Sequence, residues 1–334
     1  MPLKNKLYRA VNLLRPLLFI LAITGYMHSA FATELKINPD EVRGPDACGE
    51  CHKKSVEIWK ATPHATTFQN LPRSEKAKEI AKAMGIRRIK NESDCLSCHF
   101  TSADVDGKIK PIAGITCESC HGAGKNWIDV HSDFGGKGIT AENEDPDHRK
   151  TRYETSVAAG FIRPANLYKV AENCYQCHTV PNEKLVNVGG HPAGSKFELV
   201  AWSQGNIRHN IWHTKENEIA PMPRQRLMYI LGQTLDLEFA LRGVAKATEK
   251  ANYAVAMAKR AKIAEKRIEK IAELVDIPEI GQILAIASAA KLKLNNEEQL
   301  LAAANEVKRE ALKLAANYDG GSLQAIDALL PQLK

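Results

Sequence analysis

The chain has 334 residues, a formal charge of +7, eight cysteines and only 6% aromatic residues. All four basic residues before Thr33 precede any acid, so a mature form starting at Thr33 carries +3, too little to argue for a nucleic-acid binder. The length suggests two domains, and the aromatic content is low for a core built from side chains alone.

The N-terminus reads as an export signal over residues 1–32. Lys4, Lys6, Arg9 and Arg15 form a basic region, Pro16 to Met27 a short apolar run, and Ala30-Phe31-Ala32 a cleavage pattern. An uncleaved anchor in the inner membrane is the alternative. The run holds twelve residues, short of the roughly 20 that a spanning helix needs.

Four copies of Cys-x-x-Cys-His follow: Cys48-Gly-Glu-Cys51-His52, Cys95-Leu-Ser-Cys98-His99, Cys117-Glu-Ser-Cys120-His121 and Cys174-Tyr-Gln-Cys177-His178. They use every cysteine. The spacing is that of c-type haem attachment, in which two thiols bond to the porphyrin and the adjacent histidine binds iron. Zinc ribbons or local disulfides would use the cysteine pairs but leave the four adjacent histidines without a role. Four covalent haem c groups are therefore expected, with His52, His99, His121 and His178 as proximal ligands. Their flat apolar faces would supply the missing core, and their propionates would take the net charge below zero. Such charge steers redox partners, and no nucleic acid is expected. Haem c is attached outside the bacterial inner membrane, so the expected location is the periplasm.

Residues 33–223 read as a mainly α, haem-filled domain with little sheet. Helices are expected over Ser55–Ala61 and Ser74–Met84, and the polar stretch Gly135–Asp147 as a surface loop. Past Pro221-Met222-Pro223 the composition turns to Ala, Leu, Lys and Glu, all strong helix formers. Residues 224–334 read as an Ala-rich helical bundle or helical hairpin. Ala247, Ala251, Ala254, Ala258, Ala261, Ala264, Ile268, Ile271 and Val275 recur at steps of three and four, which predicts one long helix over 224–275 with bends at Gly232 and Gly243. Asp276 and Pro278 break it. A second helix is expected over 279–292. A third starts at Asn296, with Gln299 as capping partner, and ends near Asp319-Gly320-Gly321; Ser322 would cap a short last helix. This tail has no His or Cys. It reads as a packing or oligomerisation module, with a docking arm for a redox partner as the alternative.

Six histidines remain in the mature chain for the far side of the irons: His64, His131, His148, His191, His209 and His213. Their number favours bis-histidine ligation over a methionine such as Met84 or Met222. His148, among Asp145, Asp147, Arg149 and Lys150, reads as solvated.

The segment Ser55 to Phe68, with Trp59 and with His64 twelve residues after His52, resembles the N-terminal haem segment of the tetrahaem cytochrome c-554 family. Gly114-Ile115-Thr116-Cys117-Glu118-Ser119-Cys120-His121-Gly122-Ala123-Gly124 is similar to that family's third motif, and His131 follows His121 by ten residues, as a distal ligand there does. The resemblance covers most of residues 45–215. It implies that His64 serves the third haem, His131 the fourth and His209 the first. In that family the second haem can lack a distal ligand. Here Gly190-His191-Pro192-Ala193-Gly194 resembles an element of other multihaem proteins, which assigns His191 to the second haem. His213 stays in reserve for the first or second.

Four six-coordinate haems in so short a segment imply periplasmic electron transfer between redox proteins, soluble or in the membrane. One alternative is an enzyme whose second haem is five-coordinate and acts on a small nitrogen or sulfur compound, with Arg87, Arg88 and Lys90 beside it. Another is an electron-transfer subunit of a respiratory complex, held by the tail.

Overall fold

The computed structural model describes residues 36–333; the expected export signal lies outside them. Short helices and one hairpin make up the first half: α1 (Pro45–Gly49), α2 (Lys53–Lys60), α3 (Pro63–Asn70), α4 (Glu75–Ala83), α5 (Ser93–His99), β1 (Thr101–Asp104), β2 (Ile109–Ala113), α6 (Glu118–His121), α7 (Ile128–Ser132), α8 (Pro146–Ala158), α9 (Leu167–His178), α10 (Glu183–Asn187), α11 (Leu199–Ser203) and α12 (Ile211–Thr214). Four further helices follow, α13 (Met222–Lys246), α14 (Asn252–Ala272), α15 (Pro278–Ala289) and α16 (Glu297–Asn317), three of them more than 20 residues long.

The short helices begin where side chains can satisfy free backbone N–H groups. Thr62, Ser74, Asp145, Asn166 and Asn182 each cap a helix start, and Pro63, Pro146 and Pro278 sit in first turns. The expected helices over 55–61 and 74–84 correspond to α2 and α4, and the polar stretch stays irregular up to the Asp145 cap. Three motif histidines, His99, His121 and His178, are the last residues of α5, α6 and α9, while His52 caps the start of α2.

The antiparallel hairpin pairs Thr101 with Ala113 and Asp104 with Ile109. Its turn uses Asp106 and Gly107, both at positive φ, with Asp104 accepting from Gly107 N at 2.8 Å. It leads from the second motif straight into the third. The Thr101 hydroxyl bonds Thr116 at 3.1 Å and Ser119 at 3.0 Å, which ties the end of one motif to the start of the next.

The expected long helix over 224–275 is instead a hairpin of two. Helix α13 stops at Ala247, and α14 starts after Ala251 in extended conformation. The break is held from outside. The Glu183 carboxylate, at the start of α10, accepts from Thr248 N, the Thr248 hydroxyl and Glu249 N. Nor is Gly243 a bend. A Cβ there would stand 2.6 Å from Met257 Cγ, so this glycine lets α14 cross α13 closely. Helices over 278–289 and 297–317 match the expected second and third. Asn296 bonds Gln299 side chain to side chain rather than capping the α16 backbone. The last turn is a 3-10 stretch, Gln324–Leu329, that starts after Leu323.

Helix α13 is buried along most of its length, as a central helix must be, with polar side chains such as Gln233, Asp236 and Glu238 buried among its apolar ones. It packs on α14, α16, α9 and α11. Leu167, Tyr168, Ala171, Tyr175, Leu199 and Val200 join Ile230, Leu231, Leu235, Ile268, Leu300 and Leu314 in one apolar core. The change of composition near Pro223 thus marks the start of α13, while the packing runs through it without a gap. The described residues group as one compact unit. Among the described residues no helix is long and apolar enough to cross a membrane.

Candidate functional site

Each motif histidine faces one other histidine. The ring centres of His52 and His131, of His64 and His178, and of His99 and His191 are each 6.3 Å apart, and those of His121 and His209 are 6.4 Å apart. An imidazole nitrogen binds a first-row metal at about 2 Å and lies about 1.1 Å from its ring centre, so two rings on opposite sides of one ion stand roughly 6.3 Å apart. All four separations agree with that distance.

The structure brings together the four motif histidines with His64, His131, His191 and His209. His191 meets His99, as expected. The other three partners differ from those the family resemblance implies: His64 meets His178 rather than His121, His131 meets His52 rather than His178, and His209 meets His121 rather than His52. The reason is ring direction. The His64 carbonyl accepts from Ile115 N at 2.9 Å, and a Cβ at Gly114 would stand 2.1 Å from that oxygen. The segment entering the third motif therefore covers the backbone of α3 and turns the His64 ring away, toward His178. His131 is turned by Trp127 and Phe161, whose stacked rings both lie edge-on to it. Sequence offsets place a histidine on a helix but leave open which way its ring points.

His148 instead bonds the Glu144 carboxylate at 2.8 Å. The side chain of His213 lies outside the described ones. Arg87 and Arg88 are exposed, and the Lys90 ammonium sits 3.3 Å from the centre of the Phe68 ring.

Five of the eight facing rings have Nδ1 on an oxygen: His121 on Ile162 O at 2.9 Å, His178 on the Ser195 hydroxyl at 3.0 Å, His191 on Pro192 O at 2.9 Å, His209 on Ile207 O at 2.8 Å, and His131 on Ile128 O. Carbonyl partners accept a hydrogen bond from Nδ1–H and so leave the Nε2 lone pair for a metal. Burial favours the neutral form of six of the rings. It lowers the pKa of His52, His64, His121 and His131, and pushes His99 and His178 down to about 4, with neighbouring histidines adding to the effect on those two.

The eight cysteines are free thiols, as haem attachment requires. A cavity of about 450 Å³ is lined by the second and fourth motifs together with His64 and His191. Cys98 contacts Cys177 in it, and Cys48 of the first motif contacts Cys117 of the third. Between these two groups, Asn173 Nδ2 donates to Cys120 O at 2.9 Å. Buried nearby, Arg208 Nε, next to His209, and Ser102 Oγ, in the cavity wall, have no partner among the described residues. An arginine N–H beside a ligating histidine suits a propionate. Thiols, paired imidazoles at the ligand spacing and unmatched donors all fit covalently bound haem.

Several supporting residues carry no signal in a single sequence. Glu118, inside the third motif, is 1% exposed and accepts from Arg43 N, Gly44 N and Gly124 N at 2.7 to 2.8 Å. It locks the approach to the first motif onto the third. Glu144 is buried against Arg152, which donates to the His131 carbonyl at 2.6 Å. The Arg152 guanidinium, with His148 and Arg149, holds the Glu144 carboxyl down to about 2. That contribution to stability is complete above the ordinary carboxylate value of about 4.3 and fades as pH falls toward 2. Glu144→Gln is expected to flatten the acid limb of the stability curve between those values, read by circular dichroism; an unchanged limb would show that the pair does not brace α8.

Residues 47–122 match the family model described as cytochrome c554 and c-prime. The chain is 34% identical over 100 residues to cytochrome c-554 of Nitrosomonas europaea, a match covering 28% of this chain and 43% of that protein. The chain thus spans less than half the length of this curated relative. No solved structure matches. The family model takes in the first three motifs and His64, a narrower stretch than the expected 45–215; the fourth motif and the other facing histidines lie beyond it. Over residues 47–122 the chain is thus a member of the cytochrome c-554 family of c-type cytochromes, the class in which haem is bound covalently.

Proposed function

We propose that this chain is a periplasmic electron carrier with four covalently bound haem c groups, each held between two histidines. The observation that carries this reading is the set of four histidine pairs, all at 6.3 to 6.4 Å and each containing one motif histidine. His52 and His131 would hold the first haem, His99 and His191 the second, His121 and His209 the third, and His178 and His64 the fourth. Bound there, the group supplies a one-electron iron couple.

The protein's part would be to hold the paired imidazoles of each site in place and to bring the sites close. Cys48 on Cys117, Asn173 on Cys120 and Cys98 on Cys177 order the sites as first, third, fourth, second. The first is at the surface, where Cys51 is exposed and Trp212, 66% exposed, lies with its ring centre 5.0 Å from that of His52. That end suits a redox protein as donor or acceptor. The exposed outer faces of α14 and α16 are where a second copy or a membrane complex would dock. His191 stands where a substrate would have to approach the second site, which favours a carrier over an enzyme.

Haem content and spin state test this reading. The exported holoprotein is expected to give four haems per chain in the pyridine haemochrome assay and only low-spin signals by electron paramagnetic resonance. Fewer haems, or a high-spin signal from one in four, would overturn the four bis-histidine sites.

A further inference from the structure

The fourth site is braced from a part of the chain outside the matched segment. His178 Nδ1 lies 3.0 Å from the Ser195 hydroxyl, and Ser195 N donates to the His178 carbonyl at 2.9 Å. Ser195 is thus clamped to His178 through both its side chain and its backbone. Its own carbonyl accepts from Arg260 of α14 at 3.1 Å, and the Arg260 Nε bonds Asp236 of α13. Both charged side chains are largely buried, at 12% and 7% exposed. Gly194 shows how tightly the parts meet. It sits at φ +85°, and a Cβ there would stand 2.7 Å from the guanidinium and 3.1 Å from the His178 carbonyl oxygen. The guanidinium therefore lies against the backbone of the proximal ligand with no room for a side chain between them.

Two influences reach the ligand by this route. The bond to Nδ1 sets the tautomer and the electron donation of His178. The buried positive charge of Arg260, offset by Asp236, sets the local field, which is weakly screened away from water. Apolar side chains of similar volume would serve the core as well, since a buried pair is costly to desolvate. Placed on Ser195, the pair acts toward the ligand.

We propose that Arg260 and Asp236 are positioning residues that tune the redox potential of the fourth site from the helical tail, through Ser195 and His178. This rests on the reading that His178 and His64 hold a haem. Removing a nearby positive charge favours the oxidised, more positive iron and lowers its potential; removing a negative charge raises it.

The experiment is a spectropotentiometric titration of the full-length holoprotein and its variants, with haem content measured on each. Arg260→Gln is expected to move one of the four potentials down and Asp236→Asn to move the same one up, the other three staying in place. Arg260→Lys, which keeps the charge, is expected to restore the parent value. Shifts of the same sign in both charge-removing variants, or none in either, would overturn the proposal while four haems and low-spin signals leave the bis-histidine reading intact. If Arg260→Gln does not load haem, the pair Asp236→Asn and Asp236→Glu decides: an upward shift in the first with the second near the parent supports tuning, and equal behaviour refutes it. Loss of low-spin character in the parent protein would instead strike at the bis-histidine reading itself.

Discussion

A chain ending at Ala220 is expected to lose its fourth haem and most of its soluble yield. Helix α9, which carries Cys174, Cys177 and His178, turns Tyr168, Ala171 and Tyr175 into the tail, where each is at most 1% exposed. Tyr168 also donates to Glu238 of α13 at 2.6 Å. A Cβ at Gly232 would stand 3.3 Å from the Tyr175 hydroxyl, so α13 lies directly on the fourth motif. Stripping the cover from large apolar side chains costs roughly 1.5–3 kcal/mol each. Two tyrosines and the leucines around them therefore approach the whole stability of a typical domain, about 5–15 kcal/mol. The checks are haem per chain and far-ultraviolet circular dichroism of the exported product. A truncated protein that keeps four haems and its helical signal would show that the first half carries its own core and that the tail is an appendage.

His64→Ala is expected to open one haem in four to high spin, and that haem should be the one attached at Cys174 and Cys177. The test of identity is a second change. Without the third attachment, in a Cys117→Ala/Cys120→Ala background, His64→Ala should still produce the high-spin signal. Without the fourth, in a Cys174→Ala/Cys177→Ala background, it should add none. The pattern implied by the family resemblance, with His64 on the third haem, predicts the reverse. Among the described residues, the ring that stands at the ligand-pair distance from His64 is that of His178, so the structural pairing gives a definite expected outcome. Loss of all high-spin signal in both backgrounds would remove His64 from the ligand set.

The tail and the pairing show where sequence reading stopped. The repeat of alanines through residue 275 is a true helical pattern, yet it cannot reveal that a carboxylate 65 residues earlier, Glu183, would catch Thr248 and fold the helix back. Periodicity reports which residues share a face, and a turn is decided by what is available to hold it. Likewise Gly243 and Gly232 suggest flexibility on paper and serve close approach in space.

The four Cys-x-x-Cys-His units and the helical character of both halves follow from residue type and spacing alone, because the motif and helix periodicity are local; the choice of distal histidines came through the family resemblance. Which ring faces which, and the joining of α13 to α9 across the change of composition, were decided by the tertiary structure. Both depend on contacts between segments far apart in the chain, where a histidine's direction is set by what covers the back of its helix and a core is shared by whatever apolar faces meet.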